Sequence, residues 1–303
     1  MGVRWSPSDR SENRRDKLQF DSMERAVSHL PPDQFIDRTT HREVPLETLS
    51  AIASHRELLK NLVLRDLKLK YRGSVLGFLW SLLNPLAVVV AYTVAFKYIL
   101  QSTQADYPFF VLLGVLAWTF FASAVTMSTG AIIESGGLVK AVQFPRAILP
   151  MATVFFTLSQ YLLTALVFLP LLLLLRQMPL GWPMLLYPVF LLLQVAMTLG
   201  FALLLAAGTT YFRDIRHLVE VALQLLFWTT PIVYAVEIVP TALRPLIQAS
   251  PMSPFITAYH EMFYYVRWPD VTTWVMAVGY AAGALTVGIL VFTRLQDELG
   301  EQL

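Results

Sequence analysis

Six cations stand at helical spacing among leucines in RELLKNLVLRDLKLKYR, namely Arg56, Lys60, Arg65, Lys68, Lys70 and Arg72. A row of ammonium and guanidinium groups binds phosphates or an acidic protein surface, and the guanidinium can do so bidentately. Leu58, Leu62 and Leu69, with Leu59, Val63 and Leu67 beside them, recur near i, i+4 and give the same helix a greasy side. A flank that only fixed membrane topology would need cations but no ordered apolar face. Two carboxylates, Glu134 and Glu220, stand at the edges of long apolar runs, where an ionisable side chain is a functional candidate. The competing reading is a solvated loop carboxylate for Glu134 and a structural pair with His217 or Arg216 for Glu220.

Catalytic chemistry is sparse. His29, His41, His55, His217 and His260 form no HExxH spacing, and there is no GxSxG elbow and no GxxxxGK[ST] phosphate loop. The chain has no cysteine, which excludes disulfides, thiolate catalysis and cysteine metal sites. No catalytic residue, metal site or cofactor is therefore expected, and any ATP must be bound by another chain. A membrane-embedded glycosyl- or acyltransferase would want an acidic cluster or a loop histidine that is not found. A proton-coupled transporter would want carboxylates near the membrane midplane, whereas Glu134 and Glu220 lie toward the inner ends of their segments.

The elements that must position these residues are membrane helices. With 303 residues, 56% hydrophobic and 15% charged side chains and a mean hydropathy of +0.56, the chain departs from soluble averages. Six segments approach the roughly 20 apolar residues a bilayer requires: about 75–99, 109–130, 148–175, 184–211, 218–236 and 271–293. The expected class is an all-α membrane protein with six transmembrane helices, an N-terminal amphipathic helix at 46–74 and short re-entrant helices before the last span. Residues 1–45 carry charges of both signs and four prolines, and read as a flexible cytoplasmic extension. Residues 294–303 read as a cytoplasmic tail. Basic residues concentrate on one side of the spans, which places both termini in the cytoplasm. Gly73–Gly77 and Gly279–Gly283 match GxxxG, a weak sign of close helix packing or dimerisation.

Three connections stand out. In Gly130 to Pro150, Gly136 and Gly137 should break a helix and Pro145 should separate the short piece LVKAVQF from the next span. The turn from Tyr211 to Tyr234 is short and charged. After Pro231 the chain is too polar and too rich in proline to span, and Ser253-Pro254 resembles an N-cap and first-turn pair opening a helix to about Val266. Tyr259, Phe263, Tyr264, Tyr265 and Trp268 read as an interfacial aromatic belt or as an outer gate offering stacking surfaces to sugar rings.

The segments RDLKLKYRGSVLGFLWSLLNPL (Arg65 to Leu86), GGLVKAVQFPRAILP (Gly136 to Pro150), YFRDIRHLVEVALQLLFWTTPIVY (Tyr211 to Tyr234) and SPMSPFITAYH (Ser250 to His260) resemble those of the ABC-type-2 exporter permeases of O-antigen, capsular polysaccharide and teichoic acid. The resemblance covers about residues 46–300. It implies a homodimer in the bacterial cytoplasmic (inner) membrane, with two copies of a separate ATPase that holds ATP and Mg, and a lipid-linked polysaccharide as substrate. By likeness, Arg65, Asp66, Lys68, Lys70, Tyr71, Arg72, Leu138, Lys140 and Arg146 would couple to the ATPase. Spans one and five would line a channel, with Trp80, Glu134, Phe227, Trp228, Tyr234, Tyr259 and Phe263 at the channel or its gates. An exporter of a drug or small lipid with the same architecture is the nearest rival.

Overall fold

The computed structural model describes residues 55–72, 77, 79–101, 104–141, 144–176 and 181–296; the expected extension at 1–45 and most of the expected tail lie outside them. The described residues form helices and no strand. In order these are α1 (Arg56–Tyr71), α2 (Leu79–Tyr92) running on as a π turn (Thr93–Ile99), α3 (Tyr107–Glu134), α4 (Gly136–Ala141) and α5 (Ile148–Arg176). A 3-10 turn (Trp182–Leu186) leads into α6 (Tyr187–Tyr211), followed by α7 (Ile215–Thr229), α8 (Arg244–Gln248), α9 (Ser253–Tyr259) with its π turn (His260–Tyr264), and α10 (Val271–Leu295).

Five helical segments are long and apolar enough to cross a membrane: Leu79–Ile99, Tyr107–Glu134, Ile148–Leu171, Trp182–Tyr211 and Val271–Leu295. The expected span at 218–236 is not one continuous helix. α7 has 15 residues, about 22 Å at the usual rise, and Thr230 leaves it with extended backbone (ψ 137°) just before Pro231, which has no N–H to continue the ladder. α7 nevertheless starts beside the C-terminal end of α3, where Arg216 reaches Glu134 at 3.4 Å. The segment after it ends beside the N-terminus of α3, where the Tyr107 hydroxyl donates to the Val233 carbonyl at 2.6 Å. Helix and extension together thus run antiparallel along the whole of the 28-residue α3.

α3 is the axis of the bundle: 78% of its most apolar stretch is buried, against 11% for α2. Its approach to the segment after α7 depends on Gly114, where a Cβ would lie 2.9 Å from the Ile232 carbonyl oxygen. α6 and α10 approach closer still, since a Cβ on Gly200 would come within 2.2 Å of the Ala284 backbone and one on Gly288 within 2.2 Å of the Gly200 oxygen. The small-residue contact is therefore Gly200 with Ala284 and Gly288. Gly279 and Gly283 have no neighbour within 4 Å of an added Cβ, so their GxxxG spacing makes no close helix contact among the described residues.

Two buried clusters result. The large one joins α3, α5, α6, α9 and α10. The smaller one gathers at the α1 end, where Leu58 and Leu62 pack with Ile132, Leu138, Ile148, Leu203 and Phe292. Leu58 and Leu62 therefore face protein rather than acyl chains, and burying them stabilises the docked helix by about 1.5–3 kcal/mol each. Leu69, on the expected greasy row, is 53% exposed.

Two local expectations change. The helix before α4 ends at Glu134 as expected, but α4 begins at Gly136 after a turn at Ser135, so the two glycines open the short helix. α9 begins at Ser253 with Met252 at the cap and no side-chain capping bond, so Ser253 is a first-turn residue.

Candidate functional site

The cations of α1 divide into two sets by what they meet. Arg65 is half-buried and lies against Asp66, with Nη2 2.8 Å from Oδ1, so the two neutralise one another locally. Arg56, Lys60, Lys68 and Arg72 are exposed. Lys70 is exposed as well, but its ammonium donates to Gln160 Oε1 of α5 and lies 5.9 Å from the Phe156 ring centre. Burial lowers its pKa from the ordinary lysine value. Beside it the Tyr71 and Ser81 hydroxyls meet at 2.9 Å, tying the end of α1 to the start of α2. Leu138 of α4 is buried in the α1-end cluster, and Arg146 donates to the Gln296 carbonyl. The Lys140 side chain lies outside the described residues.

α2 stands off the bundle and leaves a cavity on each side. One, of about 670 Å³, lies between α2, α3 and α7 and is lined by Tyr92, Trp118, Glu220, Gln224, Phe227 and Trp228. Phe227 is its hinge, stacked on Tyr92 at 5.7 Å and edge-on to Trp118 at 5.6 Å and Trp228 at 5.4 Å. Tyr234 donates to the Trp228 carbonyl at 2.9 Å. Glu220 lies 3.9 Å from Arg216 and 3.6 Å from His217, the expected structural pair, and also lines this cavity. Glu134, mostly exposed, pairs with Arg216 at the α1 end. The second cavity, of about 580 Å³, lies between α2, α3 and α5; Trp80, 59% exposed, and Lys70 stand on its rim.

The aromatic residues of α9 behave differently. Tyr259 and Phe263 are 2% and 6% exposed, so neither offers a stacking face. Phe263 packs edge-on to Tyr187, and the Tyr259 hydroxyl donates to Gln194 Oε1 at 2.7 Å. Gln194 in turn donates to the Ala117 carbonyl at 3.0 Å, so one buried amide links α3, α6 and α9. His260 stacks on Phe110 at 3.7 Å and donates to its carbonyl at 2.9 Å. Glu261, buried, accepts from Arg267 at 3.0 Å. Buried polar groups must be paired, and these contacts fasten α9 and its π turn into one end of the bundle. Sequence reading singled out neither Gln194 nor Glu261; a polar residue inside an otherwise apolar helix was the available signal for Gln194.

The arrangement is that of a helical membrane domain with a basic surface helix at one end and a scarcely packed α2–α7 face. The model of ABC-2 type transporters matches residues 57–264, from α1 to the end of the π turn after α9. The chain belongs to the ABC-2 type transporter family. It is 33% identical over 254 residues to the O-antigen export system permease protein RfbA of Myxococcus xanthus, covering 82% of this chain and 96% of that one. An O-antigen export system permease protein RfbA of Klebsiella pneumoniae is 28% identical over 255 residues, 82% of this chain and 95% of its own. The polysialic acid transport protein KpsM of Escherichia coli is 34% identical over 79 residues, only 25% of this chain and 31% of that one. Within this ABC-2 chain the structure brings Phe227, Trp228 and Tyr234 together, sets Trp80 apart on the other side of α2, and places Tyr259 and Phe263 in the core.

Proposed function

We propose that this chain is the membrane permease subunit of an ATP-driven exporter of a lipid-linked polysaccharide of the O-antigen or capsule type. Two copies would form the conduit, and two separate ATPase subunits would drive it. The relatives' cargo supports the substrate class. The observation that carries the conduit is the α2–α7 face: Glu220 and Gln224 are exposed there among Leu218, Val221, Leu225 and Trp228. A charged side chain facing hydrocarbon costs several kcal/mol, so this face belongs against protein or water. A second copy supplies the first and a polar conduit between the copies the second, with Tyr92, Trp118, Phe227 and Trp228 offering apolar ring faces to sugars. α7 with residues 230–233 makes the sixth crossing, as its run along α3 supports.

The exposed Arg56, Lys60, Lys68 and Arg72 of α1, together with α4, present the coupling surface to the ATPase on the cytoplasmic side of the inner membrane, where both termini lie. Nucleotide-driven closure of the ATPases would push α1 and α4 and shift α2 and α7, each of which buries only two of its residues. Deleting the chain in its own organism tests this: surface polysaccharide should vanish while carrier-linked polymer accumulates inside. Unchanged surface polymer would overturn the reading and favour the drug or small-lipid rival.

A further inference from the structure

The α2–α3–α5 cavity adjoins the α2–α3–α7 cavity at Ser123 of α3, which lines both, so the two recesses meet behind α2. We propose that the α2–α3–α5 side is a second sugar subsite, in which Asn84, Thr119, Ser123 and Gln160 hydrogen-bond a saccharide unit of the exported polymer. The inference rests on the export reading above and adds a position beside the conduit, on the other side of α2.

A helix hydroxyl inside a membrane bundle is satisfied by a carbonyl about one turn earlier, as Thr157 is by Val154 and Thr164 by Gln160 in the wall of this same cavity. Thr119 and Ser123, one turn apart on α3, are not. Among the described residues neither side chain makes a hydrogen bond, and nor does the exposed Asn84 amide on α2. Gln160 spends Oε1 on the Lys70 ammonium and donates its amide hydrogens to no other described residue. These groups lie deep in the bundle. Gln160 stands midway along Ile148–Leu171, and Thr119 and Ser123 stand near the middle of Tyr107–Glu134. Among the described residues no Asp or Glu lines the cavity, so Lys70 has only a neutral amide and ring faces as partners. Unpaired donors and a cation at that depth are costly against hydrocarbon, so the recess takes water or a polar ligand. The wall is mixed, however, because Pro85, Leu116 and Phe120 stand among the polar groups and the Trp80 indole is 59% exposed at the rim. A sugar ring has hydroxyls on its edge and C–H bonds on its faces, so it meets both kinds of surface, which water does not. The volume of about 580 Å³ is in the range of small-ligand sites. Acyl chains are the poorer occupant, since they would leave Asn84, Thr119 and Ser123 unpaired.

Photo-crosslinking in the chain's own organism tests the subsite. The full chain carries p-benzoylphenylalanine in place of one residue at a time: Thr119 in the proposed subsite, Gln224 in the conduit, or the exposed Leu166 on α5 as the lipid-facing control. Cells are irradiated during export, and the purified chain is stained for carbohydrate by periodate oxidation and hydrazide labelling. Carbohydrate adducts are expected from Thr119 and Gln224, with none from Leu166. Asn84→Leu should lower the Thr119 adduct about fivefold, the scale of one hydrogen bond. Adducts from Gln224 and none from Thr119 would overturn the subsite and leave the export reading standing. No carbohydrate adduct from either position would overturn both. Equal adducts from all three positions, a Thr119 adduct unmoved by Asn84→Leu, or one that is lipid without carbohydrate would each overturn the subsite. Asn84→p-benzoylphenylalanine reads the same outcomes from the opposite wall, so a Thr119 chain that fails to insert does not end the test.

Discussion

The α6–α10 contact and the α2–α7 face are both built from helices rich in leucine and valine and have opposite packing. Where Gly200 meets Ala284 and Gly288, the backbones touch and no side chain intervenes. Along α2 and α7, Leu83, Val90, Val94, Leu218 and Leu225 are exposed and two cavities open. Interhelical contact in a membrane depends on close packing and satisfied polar groups, because lipid is as apolar as leucine. The tight pair is therefore a fixed scaffold, and the loose pair is the part free to take a second arrangement.

Substitutions should separate the two regions by size of effect on thermal unfolding in detergent. Gly200→Leu should be the most damaging, at about 3 kcal/mol or more, because the clash is with backbone that cannot yield. Retention of a normal Tm would break the contrast. Gln194→Leu should cost about 1–3 kcal/mol by leaving the buried Tyr259 hydroxyl and Ala117 carbonyl unpaired. Arg216→Ala should cost less than about 1 kcal/mol, since its pairs with Glu134 and Glu220 are half-exposed. Lys68→Glu should leave Tm unchanged yet abolish surface polysaccharide; normal export in that variant would remove the coupling role from the exposed face of α1.

The spans were legible because a bilayer demands long apolar runs, and four of the six expected segments reappear within about four residues at each end. The first starts at Leu79, after residues that are not all described. The segment at 218–236 was misread as one helix because hydropathy ignores backbone chemistry: Pro231 sits in an apolar run yet ends the helical ladder. GxxxG spacing pointed to Gly279 and Gly283, whereas the glycines packed between α6 and α10 are Gly200 and Gly288, which lie on different helices and share no motif. The helix that carries the α1 cations was legible, but spacing could not tell that Lys70 meets Gln160 ninety residues on. Tyr259 and Phe263 illustrate the same limit, since an aromatic near a membrane surface has the same sequence signature whether it faces a core or a gate.

Water at the α2–α7 face decides the matter most directly. The chain has no cysteine, so single thiols report cleanly: Gln224→Cys on α7 and Leu166→Cys on α5, in intact membranes, treated with a charged, water-soluble thiol reagent. Rapid modification at Gln224→Cys with Leu166→Cys protected is the expected result. Equal protection at both positions, or faster modification at Leu166→Cys, would place α7 in lipid and contradict a polar conduit on this face.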